Sequence, residues 1–258
     1  MSIIDTHSHI YSEQFNEDRD VMIQRAFDAG VEYILMPNVD ADSIADMMLI
    51  EDQYPKKCIS MMGLHPTSVD KEYKKQLNLM ERWFAKRSFC AIGEIGIDLY
   101  WDKTFVAEQI DAFKIQIEWA KKYALPIVIH AREAFDEIFE VLDNISLQGV
   151  NGVFHSFSGN IEQANKVLSY GNFKLGINGV VTFKNSKLDD VIKQLSLYNL
   201  VLETDAPYLT PTPFRGKRNE PSYLNYVSCK LADIFNTTEE EVNKITSQNA
   251  KQLFKLRN

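Results

Sequence analysis

Cysteine is scarce in this sequence: Cys58, Cys90 and Cys229 are far apart among 258 residues, with no CxxC pair. That argues against a disulfide framework and reads as reduced thiols in a cytosolic protein. Cys58 and Cys90 lie in apolar runs and are expected to pack in the core. No apolar run approaches the length of a membrane span, and the N-terminus lacks the basic-then-apolar pattern of a secretory signal. An excess of positive charge is missing as well. With 36 acids against 28 bases the net charge is −8, which argues against wrapping a long polyanion by bulk electrostatics. That balance does not exclude a small cationic pocket built from bound metal ions and a few local bases. Linkers, domain repeats and low-complexity tracts are also absent, so residues 1–258 read as a single domain large enough for one core.

What is present is an alternation of short β-rich runs with amphipathic helical stretches. The expected strands cover 3–10, 32–39, 58–66, 89–98, 126–131, 151–158, 173–179 and 199–207. Helix-like segments follow them, for example 105–124 and 133–146, with stop signals at Gly30, Pro126 and Gly171. The strands are continuous apolar runs, as in a parallel sheet covered on both faces. Eight such units in about 250 residues predict a (β/α)8 TIM barrel. Residues 236–256 read as a closing helix in which Thr238 and Glu241 have capping-box spacing.

All five histidines fall at expected C-terminal strand ends, where a barrel of this kind carries its catalytic groups. His7 and His9 end the first strand, His65 the third and His130 the fifth, and His155 lies near the end of the sixth. Side chains alternate along a strand, so His7 and His9 share a face, with Asp5 one step deeper as an acceptor that could orient them. Glu94, between Gly93 and Gly96, would be buried and needs a metal or base to neutralise it. Glu203 and Asp205 share a face of the last strand, where Glu203 either joins the chemistry or orients a neighbour. His7, His9, Glu94, His130, His155 and Asp205 offer mixed nitrogen and oxygen ligands. These suit zinc or manganese, and magnesium less well. Six ligands exceed the need of one open four-coordinate ion, so two divalent ions bridged by Glu94 are expected. Such ions would polarise a phosphoryl or carbonyl oxygen and acidify a water whose proton Asp205 could accept as general base.

The ordered motifs "DTHSH" (5–9), "GLHP" (63–66), "GEIGID" (93–98), "IHAR" (129–132), "FHSFSG" (154–159), "NLVLETDAPYL" (199–209) and "RGKRNEP" (215–221) resemble the TatD family of metal-dependent deoxyribonucleases, within the amidohydrolase-like barrels. The resemblance covers essentially the whole chain. It implies the same six metal ligands and hydrolysis of DNA phosphodiesters, typically from the 3′ end. It also implies that His65 and Arg132 contact phosphate and do not bind metal. Arg215, Lys217 and Arg218 on the basic loop after the last strand are further candidates for phosphate. Tyr100 and Trp101 either stack on a base or pack beneath their loop. The expected activity is a 3′-exonuclease on single-stranded DNA. The alternatives are an amidohydrolase or esterase acting on a small molecule or an aminoacyl-tRNA ester, and a non-catalytic metal-binding protein, against which an intact Asp205 speaks.

Overall fold

A computed structural model describes residues 2–256. Met1, Arg257 and Asn258, which belong to the expected domain span of 1–258, lie outside them. All eight expected strands form: β1 (Ile3–Asp5), β2 (Val31–Met36), β3 (Cys58–Ser60), β4 (Ile92–Asp98), β5 (Ile127–Arg132), β6 (Gly152–Phe154), β7 (Phe173–Ile177) and β8 (Leu200–Leu202). The helices are α1 (Arg19–Asp28), α2 (Ile44–Gln53), α3 (Tyr73–Glu81), α4 (Val106–Tyr123), α5 (Phe135–Asp143), α6 (Ile161–Ser169), α7 (Leu188–Ile192), α8 (Leu224–Phe235) and α9 (Glu239–Phe254).

Every strand pairing is parallel, with β1–β3 in one run and β4–β8 in another. Two short parallel bridges join the runs, Met62 to Ile92 and Ser8 to Ala206. The ring is therefore closed, which leaves no sheet edge. One layer of the barrel interior is filled by Ile4, Leu35, Met61, Val128, Val153 and Val201. Gly93 keeps this layer thin, because a Cβ there would lie 2.8 Å from Val128 Cβ. Gly96, at φ +143°, leaves no room for a side chain against the His130 carbonyl, which is how β4 and β5 approach so closely. The core between barrel and helices is built by the alternate residues, such as Ile3, Ile34, Ile95, Ile129, Phe154 and Leu202.

Helix α9 closes the opposite end of the barrel. Ala250, Leu253 and Phe254 pack with Ile4 and Tyr33, and the Asn249 amide donates to the carbonyls of Leu197 and Leu200. Its Thr238 cap accepts from the Glu241 N–H at 3.2 Å, one half of the expected capping box. Cys58 and Cys90 are buried as expected, and all three thiols are unpaired. No helix among the described residues is long and apolar enough to cross a membrane.

Candidate metal centre

Six strand ladders stop short of the expected ends, whereas β4 ends at Asp98 as expected and β5 runs one residue further, to Arg132. β1 ends at Asp5, β6 at Phe154 and β8 at Leu202. Beyond them the chain bends, with Ser156 at φ +49° and Asp205 at φ +56° in the left-handed region. Such backbone is costly and persists where the surroundings hold it. Here the ends of β1 and β8 are lashed together. The Thr6 N–H donates to Leu202 O at 3.0 Å, the Asp205 N–H to His7 O at 2.8 Å and the His9 N–H to Ala206 O at 2.7 Å.

These ties bring His7, His9 and Asp205 to one gap. Asp205 Oδ1 lies 3.8, 3.6 and 3.8 Å from the Nε2 atoms of His7, His9 and His155. Glu94 rises from β4 into the middle of the group, only 2% exposed. Its two oxygens face different partners. Oε2 is 3.0 Å from His7 Nε2 and 3.7 Å from His9 Nε2. Oε1 is 2.8 Å from His130 Nδ1, 3.3 Å from His65 Nε2 and 3.7 Å from His155 Nε2. Burial alone would favour the neutral acid, but His65, His7, His155 and His130 outweigh it and hold Glu94 well below the usual carboxylate range. Burial likewise works against the charged form of Asp205, and His155, His9 and His7 override it, so its pKa is lowered.

The partners behind each imidazole set which nitrogen is bare. The Tyr11 hydroxyl donates to Pro37 O at 2.5 Å, so its oxygen can accept from His9 Nδ1 at 2.9 Å. The proton of His9 therefore sits on Nδ1 and its Nε2 lone pair faces the gap. His155 turns Nδ1 to Glu203 Oε1, an ion-pair contact of 3.1 Å that is not aligned as a hydrogen bond, and again leaves Nε2 inward. The same Glu203 oxygen accepts the Ser156 N–H at 2.5 Å, and Gly176 beneath it has no room for a Cβ against the carboxylate. Of the two roles open to Glu203, this geometry fits orienting a neighbour.

His65 behaves differently. Proximity groups it with Glu94 and His130 as a possible metal ligand. Its Nδ1, however, accepts the Thr67 N–H at 3.1 Å, so a neutral ring carries its proton on Nε2. That N–H can donate to Glu94 or to an anionic oxygen. His130 lies between two carboxylates, Glu94 on the Nδ1 side and Asp98 Oδ2 at 2.8 Å on the Nε2 side. Burial disfavours its charge, yet Asp98 and Glu94 prevail and raise its pKa.

The donor set fits metal ions. His7 Nε2 and His9 Nε2 are 3.3 Å apart, and with the His9 proton on Nδ1 the latter points a lone pair at its neighbour. His7 Nδ1 is itself buried without a hydrogen-bond partner. So dense a packing of nitrogen lone pairs around an ionised carboxylate is stabilised by cations set between them. Glu94 has His7 and His9 on one oxygen and His130 on the other, with His155 and Asp205 facing the same gap, a donor set that provides for two divalent ions. A further grouping, His7 with His155 and Glu203, lies on the Nδ1 side of His155, where Glu203 acts as its support.

Asp5 departs from expectation. It does not orient a histidine side chain. Its oxygens accept the N–H of Thr204 at 2.9 Å and the Thr204 hydroxyl at 2.6 Å, with the His7 backbone N–H at 3.3 Å. Burial pushes its carboxyl up to about 8 against those bonds, and it serves as a clasp between β1 and β8. Arg218 is likewise spoken for. It forks onto Asp18 with two 2.8 Å bonds and also donates to Gln14 O, fastening the loop after β8 to the segment before α1. Arg25 adds to that fastening through Glu220. Arg132, Arg215 and Lys217 are exposed and lie over the rings of Tyr100, Phe183 and Phe214, with no carboxylate at ion-pair distance among the described residues.

Tyr11 and Asp98 are the site residues that sequence reading passed over. Both continue a period of two already in view: Tyr11 after His7 and His9, Asp98 after Glu94 and Gly96. Asp98→Asn should keep the fold but loosen His130. The expected loss is roughly 10- to 100-fold in metal affinity or turnover, as for other groups that orient a metal ligand. Metal titration of the variant checks this, and unchanged affinity together with unchanged turnover would exclude the role.

The sequence model of the family described as TatD related DNase matches residues 4–255. The chain is 38% identical over 255 residues to the uncharacterized metal-dependent hydrolase YabD of Bacillus subtilis, covering 98% of this chain and 99% of that one. It is 32% identical over 254 residues to the uncharacterized metal-dependent hydrolase YjjV of Escherichia coli, covering 97% of each. The crystal structure of that TatD homolog superposes with a TM-score of 0.91 at 31% identity, over 99% of this chain and 98% of the other. A TatD family hydrolase from Entamoeba histolytica, 23% identical, shares the fold with a TM-score of 0.82 over 98% of both chains. With its closed parallel barrel and its two His/Glu clusters joined at Glu94, the chain belongs to the TatD family of metal-dependent hydrolases.

Proposed function

We propose that this protein is a deoxyribonuclease that removes nucleotides from the 3′ ends of single-stranded DNA. The observation that carries the proposal is the division of Glu94 between two histidine groups, with Asp205 facing the same gap. Divalent ions held by His7, His9, Glu94, His130, His155 and Asp205 would polarise the phosphoryl group and make a water acidic enough to react near neutral pH. Asp205, whose carboxylate is held ionised, would accept the proton of that water. His65 offers an Nε2–H to a phosphate oxygen, and Arg132, over the Tyr100 ring, offers a guanidinium without an ion-pair partner among the described residues. Glu203 keeps His155 turned inward. The three unpaired thiols fit a cytoplasmic setting.

The test uses metal-loaded protein on single-stranded oligonucleotides labelled at either end, beside p-nitrophenyl esters. Stepwise shortening from the 3′ end is expected. Rapid ester hydrolysis with intact DNA would move the assignment to a small-molecule esterase.

A net charge of −8 suits gripping only the end of a strand. His65, Arg132 and the cations Arg215 and Lys217 would reach two or three phosphates. Log affinity should then fall with log salt at a slope of roughly −1.5 to −2, from about 0.7 per contacted phosphate in single strands. Arg215→Ala combined with Lys217→Ala should weaken binding and flatten that slope while metal content holds. Efficient cutting of closed circular DNA, or a slope as steep as that of a groove-wrapping protein, would overturn this mode of binding.

A further inference from the structure

The turn after β4 leaves two large aromatic side chains in solvent, Tyr100 at 49% and Trp101 at 69% exposure. Singly exposed apolar side chains are ordinary on a protein surface, but these two are held in a fixed arrangement. One carboxylate fixes both. Asp98 Oδ1 accepts the backbone N–H of Tyr100 at 2.9 Å and of Trp101 at 3.1 Å. The other oxygen of the same carboxylate is 2.8 Å from His130 Nε2. The aromatic turn and a metal-ligating histidine are thus two arms of one buried group.

The rings are also arranged. Tyr100 and Trp101 meet edge to face with centroids 4.9 Å apart. The Arg132 guanidinium lies 4.0 Å from the Tyr100 centroid and 5.4 Å from that of Trp101. Arg132 pairs in register with Asp98 across β4 and β5, and it makes no ion pair among the described residues. Its flat face is held by π contacts while its N–H groups stay free. Trp101, the more exposed ring, stands beside that cation with most of its surface in solvent.

We propose that Trp101, backed by Tyr100 and Arg132, is a stacking platform for one unpaired nucleobase flanking the phosphate that is cut. The inference rests on the nuclease reading above. A flat aromatic surface with an unpaired guanidinium beside it matches a nucleotide, whose base has a π face and whose phosphate is anionic. A small ester would need no such surface. A base inside a duplex has both faces covered by its neighbours in the stack, so a platform that needs a free face and an unpaired base would favour single strands and frayed ends.

The experiment uses full-length metal-loaded protein and short oligonucleotides carrying a single abasic residue at the first, second or third position from the 3′ end. For the wild type, one position should raise KM by roughly 5- to 30-fold, the lower part of the range for a lost base–aromatic stack. Trp101→Ala should raise KM for the intact oligonucleotide by a similar factor and show little further penalty from the abasic residue. Trp101→Phe should restore most of the loss. Binding is read separately by anisotropy of a labelled oligonucleotide and by tryptophan emission, with Trp101→Phe identifying the signal of Trp101 against Trp83 and Trp119. An oligonucleotide that binds and is cut, with no quenching of Trp101 and equal abasic penalties in wild type and Trp101→Ala, overturns the platform and leaves the nuclease assignment standing. An oligonucleotide that neither binds nor is cut overturns both.

Discussion

Glu94→Gln should reduce hydrolysis by at least about 10³-fold, because it removes the one group that both metal clusters share. The amide is nearly isosteric with the carboxylate, so the barrel has no steric reason to fail. What changes is charge. Glu94 is buried and ionised, with one oxygen against His7 and His9 and the other against His130, His65 and His155. Glutamine brings one acceptor oxygen and a donor where two anionic oxygens stood, so it cannot serve both sides. Losing several kcal/mol of electrostatic stabilisation in the transition state corresponds to roughly three decades in rate or more. Two readouts separate this from damage to the fold. Elemental analysis should fall from about two ions per chain to one or fewer. Thermal unfolding should respond much less to a chelator than in the wild type, whose apparent stability includes the binding free energy of its ions, about 2.7 kcal/mol for one ion at 100 times its Kd. A variant that keeps both ions and near-normal turnover would show that Glu94 does not bridge them.

The parts of this site that were legible in the sequence are those set by local periodicity. His7 and His9, two residues apart, both turn into the gap, and Glu203 and Asp205, likewise two apart, reach opposite nitrogens of His155. Glycines beside Glu94 announced a close approach, and Gly96 against the His130 carbonyl is that approach. The eight strands are visible as apolar runs, but except for β4 and β5 their ladders end before the apolar run does. β1 ends at Asp5, not residue 10, since the chain leaves the ladder there to turn His7 and His9 inward and to hand its backbone groups to β8. For the same reason the simple alternation that stacked Asp5 beneath the histidines fails, and Asp5 closes on Thr204.

Pairings between distant segments were not legible. Arg218 looks like its loop neighbours Arg215 and Lys217, yet it is held by Asp18, 200 residues away. Nothing local announces that. Which histidine nitrogen is bare also depends on partners that only the fold supplies: Tyr11 with Pro37 for His9, Thr67 for His65, Glu203 for His155. The sequence supplies the donor atoms, and the fold assigns their protons.

Asp205→Asn is expected to lower kcat by about 10²- to 10⁴-fold, the range for a lost general base, with a much smaller change in KM. Asparagine is the informative replacement because of the backbone. Asp205 sits at φ +56°, a conformation that aspartate and asparagine tolerate far better than other side chains. Alanine there would mix backbone strain with lost chemistry. The turn itself is held by main-chain bonds that the substitution leaves alone, from the Asp205 N–H to His7 O and from the Tyr208 N–H to Asp205 O, each 2.8 Å. Asparagine retains a side-chain oxygen near the Nε2 atoms of His7, His9 and His155 but loses the negative charge and most of the basicity. Metal should therefore be retained in large part by the other ligands. A fall in kcat with most of the metal still bound would mark Asp205 as the proton acceptor. A fall that tracks metal loss, and recovers fully when metal is added in excess, would mark it as a ligand only. Near-normal turnover at wild-type metal content would remove it from both roles.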